Sequence, residues 1–328
     1  VRARTINPPA FTSKQADYIF KGTQHVTRRL PKEGNLKYAL SATDVPVDTI
    51  APGEMVQVEC EINCNAGLIT STESKLTEDS MKFPYVNPAT GPFAVTGARR
   101  GQALAVTIHQ MELDDIGFTA LLPGIGMFPD WVRHKEFGVH TRAMEVSNGF
   151  VHWDEKRKLP IQPMVGVIGV APVHGGVLTV DNGAHGGNLD VQEIGPGNTI
   201  IFPIEHDGAQ LYVGDCHALQ GDGECVGCGA TEIGARVTLS VELRDKPKRM
   251  AWPRIETPTH IATIGCARPL EDAMRIAFEQ MVYWLADDYG FTDPEAYLFL
   301  GQIAEARCTQ MVNPKFSYIC KVAREHLR

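Results

Sequence analysis

Short runs of alternating apolar and polar residues, each opened by a turn signal, fill the chain up to about residue 265 and constrain its fold more than any other feature. In MVQVECEI the residues Val56, Val58, Cys60 and Ile62 share one face. Leu104, Val106 and Ile108 do so in ALAVTIH, and Val237, Leu239, Val241 and Leu243 in VTLSVEL. This two-residue period is that of a half-buried strand. Pro52-Gly53, Arg100-Gly101 and Ile233-Gly234 stand at the starts, and Pro196-Gly197 introduces the apolar TIIFPI. Most of the 31 glycines and 21 prolines lie in the same region. The rhythm predicts a mainly β chain, a sandwich or barrel, with little helix before residue 265.

The last sixty or so residues read differently. RPLEDAMRIAFEQMVYWLADDYG opens with Pro269 and acidic residues, and stops at Gly290. Leu270, Met274, Ala277, Phe278, Met281 and Leu285 recur at helical steps, so this is an amphipathic helix whose Met and aromatic stripe packs a core. A second helix is expected in FTDPEAYLFLGQIAEA, with Asp293 as N-cap and Pro294 at its first position. KFSYICKV then alternates like a strand. These changes divide the chain into a β-rich catalytic core, 1–265, and an α+β C-terminal subdomain, 266–328.

Composition narrows the function. A net charge of −8 and a pI near 5.8 argue against nucleic acid as a partner, and KPKR at 246–249 is too short to reverse that. No window has the roughly 18 uninterrupted apolar residues of a membrane span, and VRARTINPPAF lacks the apolar core of an export signal. Eight cysteines without the density of a disulfide scaffold point to reduced thiols and a cytoplasmic protein.

Reactive side chains crowd GDCHALQGDGECVGCG, residues 214–229. If YVGDCHA ends a strand, Asp215 and His217 point to one face and Cys216 to the other. The following glycines allow a sharp turn that brings Asp222 or Glu224 back toward His217. Mixed imidazole and carboxylate donors suit a catalytic Zn²⁺. The rivals are a zinc knuckle through Cys225 and Cys228, which lacks a second CxxC pair and could take one from Cys60 and Cys64 only by long-range assembly, and a Cys216 nucleophile, which faces away from His217. A solvated glycine-rich loop is the plainest alternative. About thirty residues upstream, DNGAHGGNLD offers His185, Asn188 and Asp190 around a Gly pair, after the apolar run MVGVIGVAP; His174 in that run's VHGG end reads as an exposed loop residue.

Taken together, NPATGPFAVTGA (87–98), PMVGVIGVAP (163–172), HGGNLD (185–190), GDCHALQGDGE (214–224) and the tail MVYWLADDYGFTDPEAYLFL with QMVNPKFSYICKV resemble the acetamidase/formamidase family, in order and over residues 87–322. The resemblance implies a β-sandwich plus small β-barrel with a mixed α+β C-terminal segment. It implies metal-dependent hydrolysis of short aliphatic amides to carboxylate and ammonia by a cytoplasmic homodimer or larger homo-oligomer. The motif positions it carries over are His185, Asn188, Asp190, Asp215, His217, Asp222 and Glu224. Of these, Asp190, His217 and Glu224 are assigned as metal ligands, and His185, Asp215 and Asp222 as groups that orient ligands or move protons. The ion expected is Zn²⁺, with room for a second, oxygen-bound ion such as Ca²⁺. The chain departs from the family pattern at Asn63, where an acid is usual, at Thr96, where a Glu is common, and in the run after Glu224, which leaves Glu232 without an assigned role. Two other readings are a catalytically silent β-scaffold that binds a small ligand and a Cys-dependent amidase.

Overall fold

The computed structural model describes residues 28–64, 67–130 and 138–328. VRARTINPPAF lies outside the described residues. The chain is mainly β: nineteen of the described strands hydrogen-bond into one continuous curled sheet, and a separate pair joins Ala39–Ser41 to Gly176–Leu178.

Two long strands organise the curl. Gln102–Leu121 and Cys228–Asp245 run antiparallel, and their register shifts between Cys228 and Glu232, Ile233 and Ala235, and Thr238 and Leu239. Such bulges bend a strand and raise its twist, so the two ends of the ribbon recruit different neighbours. Toward one end Met55–Cys60 pairs with Ala235–Ser240, and Thr199–Pro203 pairs with Ala103–Thr107. Toward the other, His140–Ser147 pairs with residues 116–121, while Cys216 and His217 pair with Ile233 and Glu232. The core lies inside the curl and includes Val56, Val58, Leu104, Val106, Ile108, Val237, Leu239 and Val241, the inward positions read from the sequence. Ile62 belongs to a second cluster, with Leu76, Phe118 and Leu122.

The strand Leu211–His217 is buried along its whole length. One edge pairs with Met164–Gly169; the other pairs first with Ala89–Val95 and then with Cys228–Asp245. Gly214 makes this crossing possible: a Cβ there would collide with the carbonyl of Pro88 and approach the Ala89 Cα to 2.6 Å. Only a residue without a side chain lets the strands close up immediately before Asp215.

The C-terminal segment is mixed α+β. Helix α1, Leu270–Tyr289, packs on the strand His260–Ala267, which pairs with Phe316–Ala323. The buried face of α1 is Ala273, Ala277, Gln280, Met281, Trp284 and Leu285, so the expected stripe is rotated and Met274 is 40% exposed. Close approach is the cause. A Cβ on Gly265 would strike the Ala273 carbonyl, and Thr263 Oγ1 donates to the Ala277 carbonyl at 2.6 Å, so small residues form the contact line. Helix α2, Asp293–Ile303, is capped by Thr292 rather than Asp293; Thr292 Oγ1 accepts from the Glu295 N–H while Glu295 reaches back. The strand His260–Ala267 runs across residues 265 and 266, and the turn between Glu305–Gln310 and Phe316–Ala323 carries Asn313 to the site described below.

Gly214→Ala should lower stability by roughly 1–3 kcal/mol, the usual cost of overpacking a closed core. Chemical denaturation checks this, and an unchanged midpoint would mean that the two strands have room to part.

Candidate active site

Asp215, Cys216 and His217 end their strand as the alternation requires. Cys216 enters the core beside Cys60, whereas Asp215 and His217 face the opposite side. Asp215 takes a left-handed backbone (φ 52°), as do Asp190 (φ 48°) and Glu224 (φ 37°). Such conformations cost about 1–3 kcal/mol each in non-glycine residues and persist where the surroundings impose them. All three carboxylates belong to one cluster.

That cluster comprises two overlapping groups, Asp190–Asp215–His217 and His217–Glu224–Glu232, within each of which one donor atom per residue lies within 4.8 Å of the others. His217 Nε2 is 3.1 Å from Glu232 Oε2 and 3.6 Å from Asp215 Oδ1. All five residues are at most 4% exposed. Asp190 arrives from the HGGNLD loop: its N–H and that of Leu189 both donate to the Gly166 carbonyl. Gly166 also leaves the space the acids occupy, since a Cβ there would come within 2.6 Å of Asp190 Oδ1 and 2.9 Å of Asp215 Oδ2. The two glycine-rich motifs therefore meet.

Amide side chains hold the acids in place. Asn87 donates to Asp215 Oδ2 at 2.9 Å, and Asn313 donates to Asp190 Oδ2 at 2.8 Å. Asn188, in the orientation that satisfies its hydrogen bonds, donates to Asp215 Oδ2 at 2.9 Å and to Asp190 Oδ1 at 3.2 Å. Asn63, which replaces the expected acid, hydrogen-bonds to Glu232. Gln220 fixes the imidazole. Its nitrogen donates to the carbonyls of Asp190 and Thr309, at 2.9 and 3.0 Å, so its oxygen must face His217 Nδ1, at 2.9 Å. Nδ1 then carries the proton, and Nε2 is left free to offer a lone pair to the cluster.

With the imidazole protonated at Nδ1 alone, four buried acceptors here, Asp215 Oδ1, His217 Nε2, Glu224 Oε2 and Glu232 Oε2, face no donor, and the 3.1 Å contact of Nε2 with Glu232 becomes a hydrogen bond only when the ring is charged. Buried acceptors are expensive to leave unsatisfied. A divalent cation beside His217 would satisfy the Asp215, His217 and Glu232 atoms, and one imidazole with several carboxylates is a donor set that fits such an ion. Electrostatics points the same way. Burial, then Asp215, pushes the Asp190 carboxyl up to about 7. Burial and Asp190 hold Glu224 well above the usual carboxylate range, and burial raises Glu232. Burial alone would lower His217, but Glu232 and Asp215 outweigh it and raise it well above its ordinary value. Without a cation, the cluster keeps protons.

Two expected members are elsewhere. Asn182–Gly183 and Gly186–Asn188 form a tight hairpin, so His185 sits at its tip while Asp190 leaves from its base. His185 lines a separate cavity with Glu205, Lys246 and Tyr283, and burial lowers it to about 4. Asp222 occupies the tip of the turn closed by the Glu224 N–H on the Gly221 carbonyl. Its side chain is 65% exposed and pairs with Arg307 at 2.8 Å, so it does not reach His217, whereas Glu224 turns inward. The zinc knuckle is not built either: Cys225 is exposed, and Cys228 Sγ lies 3.5 Å from Cys64 Sγ, buried. Nothing in the sequence alone marks Gln220, Asn87 or Asn313 as site residues, and Glu232 has no role there. The signal for Glu232 was a single acid inside the strand-like run ATEIGARV.

Asp215, Glu224 and Glu232 of the cluster line a cavity of about 320 Å³ together with four asparagines, Arg268 and apolar residues that include Val86, Leu122, Ile125 and Val180.

A model of the Acetamidase/Formamidase family matches residues 174–322. The chain superposes on the crystal structure of an acetamidase from Bacillus halodurans with a TM-score of 0.84 and 34% identity, covering 91% of this chain and 98% of that one. It is 40% identical over 262 residues to an acetamidase of Mycolicibacterium smegmatis, which is 61% of this chain and 64% of that protein. To a formamidase of Methylophilus methylotrophus it is 25% identical over 256 residues, 61% of this chain and 62% of that protein. These matches span less than two thirds of the curated relatives' length. The chain belongs to the acetamidase/formamidase family.

The raised groups make a pH prediction. Each binds protons in the folded state that it has released in the unfolded chain, so its contribution is complete below its ordinary pKa and is lost as pH rises through the folded value. For Asp190 that window runs from 3.8 to about 7. Chelator-treated wild type should therefore lose stability relative to chelator-treated Asp190→Asn as pH rises from 4 to 7. Denaturation midpoints of both proteins at each pH check this; a pH-independent difference would show that Asp190 titrates as an ordinary carboxyl.

Proposed function

We propose that this chain hydrolyses short carboxamides to carboxylate and ammonia, with a divalent cation, Zn²⁺ by its donor set, held in the buried cluster. The observation that carries the reading is the convergence of His217 Nε2 with several buried carboxylate oxygens that lack a donor, beside a cavity of about 320 Å³. Membership in a family whose relatives are named acetamidase and formamidase supports the amide as substrate.

Asp190, Asp215 and His217 would hold the ion, with Glu232 closing from across the sheet. When bound, a divalent ion supplies Lewis acidity to a carbonyl and acidifies water. The remaining work belongs to side chains. Asn87, Asn188 and Asn313 keep the aspartates oriented, and Gln220 keeps His217 in the ligating tautomer. Glu224 lines the cavity, and its Oε2 has no hydrogen-bond partner among the described residues. It is the acid free to deliver a proton to the departing nitrogen, the second requirement of amide cleavage. Glu224 thus takes the proton-moving role and Asp215 a ligand's place, the reverse of the assignment made from sequence. The two triads share His217, so we assign one ion and no separate Ca²⁺ cage. A cytoplasmic homo-oligomer remains the expected setting; no described helix is long and apolar enough to cross a membrane.

The test is ammonia release from formamide and acetamide by protein depleted of metal and then reloaded with Zn²⁺. Activity should vanish on depletion and return on reloading. Glu224→Gln should retain zinc and lose about 10²–10⁴-fold in kcat, the usual worth of a positioned acid. Full turnover by metal-free protein would contradict the metal assignment, and full turnover by the variant would contradict the proton role.

A further inference from the structure

The cavity is larger than formamide or acetamide requires. Its volume is about 320 Å³; at ~30 Å³ for each water-sized group, that is room for roughly ten heavy atoms, where acetamide brings only a handful. Apart from Arg268, the cavity's polar side chains are the cluster's carboxylates and four asparagines. Most of the remaining wall is apolar, Phe83, Val86, Leu122, Ile125, Val180 and Val312 among it, and the exposed Arg268 is the one further charged side chain of the lining. Val86 and Leu122 are only 3% exposed and form its deep part, Ile125, Val180 and Val312 are half-buried, and Phe83 and Pro314 are exposed at its rim.

A carboxamide bound with its C(=O)NH₂ group at the carboxylates must send its acyl substituent along that wall. A methyl group would leave most of the cavity as water against apolar side chains. A longer chain would displace that water and bury its own apolar surface. We propose that the preferred substrate is a primary carboxamide with an apolar acyl or aryl group, about the size of hexanamide or benzamide, and that Val180 and Val312 help to set its length. This inference rests on the amidase reading.

The experiment measures kcat/KM for ammonia release by zinc-loaded wild type across formamide, acetamide, butanamide, hexanamide and benzamide, with a carboxylate-ended amide of hexanamide's length as a further arm. Each buried methylene should raise kcat/KM by about fourfold, the equivalent of ~0.8 kcal/mol. Val180→Phe, which fills the wall, should lower the hexanamide-to-acetamide ratio at least tenfold. Values that are flat or fall beyond acetamide would overturn the inference and leave the amidase reading standing. A preference for the carboxylate-ended amide, drawn to Arg268 at the exposed part of the lining, would also overturn it. Ammonia from none of the amides would remove the amidase reading and this inference with it.

Discussion

Four buried carboxyl groups face a single imidazole, and their mutual repulsion in a dry interior sets the terms for everything around them. Charges of one sign that close cannot all persist without a counter-charge. The protein's own contribution is one histidine and a set of neutral amides, which is not enough. The deficit must be met by protons, as the raised carboxyls of Asp190, Glu224 and Glu232 indicate, or by a cation. The fold spends three left-handed non-glycine backbones and the side-chain-free Gly166 and Gly214 to assemble this arrangement. It tolerates the buried acceptors because the same geometry gathers them around His217.

The assembly is a property of the sheet. His217 meets Glu232 because the two strands pair in that register, and the bulges of the long ribbon are what bring Cys228–Asp245 to the end of Leu211–His217. The C-terminal segment is equally involved: Asn313 anchors Asp190, and the Thr309 carbonyl helps to anchor Gln220. Arg307, paired with Glu193 and Asp222, clamps that segment to both glycine-rich loops. Asp222 thus serves the site by holding the loop from outside.

Much of this was legible in the chain. The period-two segments named strands that exist, and the position of Cys216 against Asp215 and His217 followed from alternation alone. What could not be read was anything dependent on long-range register. Glu232 is one acid in a strand, and only its pairing with His217 gives it a role. Asn87 and Asn313 lie in separate loops, and Gln220 sits in a stretch whose composition reads as solvated turn. The sequence points to His185 and Asp222 because they lie in the two loops that form the site. Yet a tight hairpin and a Gly-Asp-Gly turn each send one residue outward and another inward, and a motif does not say which. The second helix differs by one position, since Thr292 and Glu295 satisfy two backbone donors reciprocally where Asp293 would satisfy one.

The central claim is that protons and a divalent cation compete for the same buried cluster. Calorimetric titration of metal-free protein with Zn²⁺ near pH 7, repeated in buffers of different ionisation enthalpy, counts the protons released for each ion bound. The account predicts tight binding of one ion with net proton release, abolished together in His217→Ala. Binding without proton release, or undiminished binding in that variant, would contradict it.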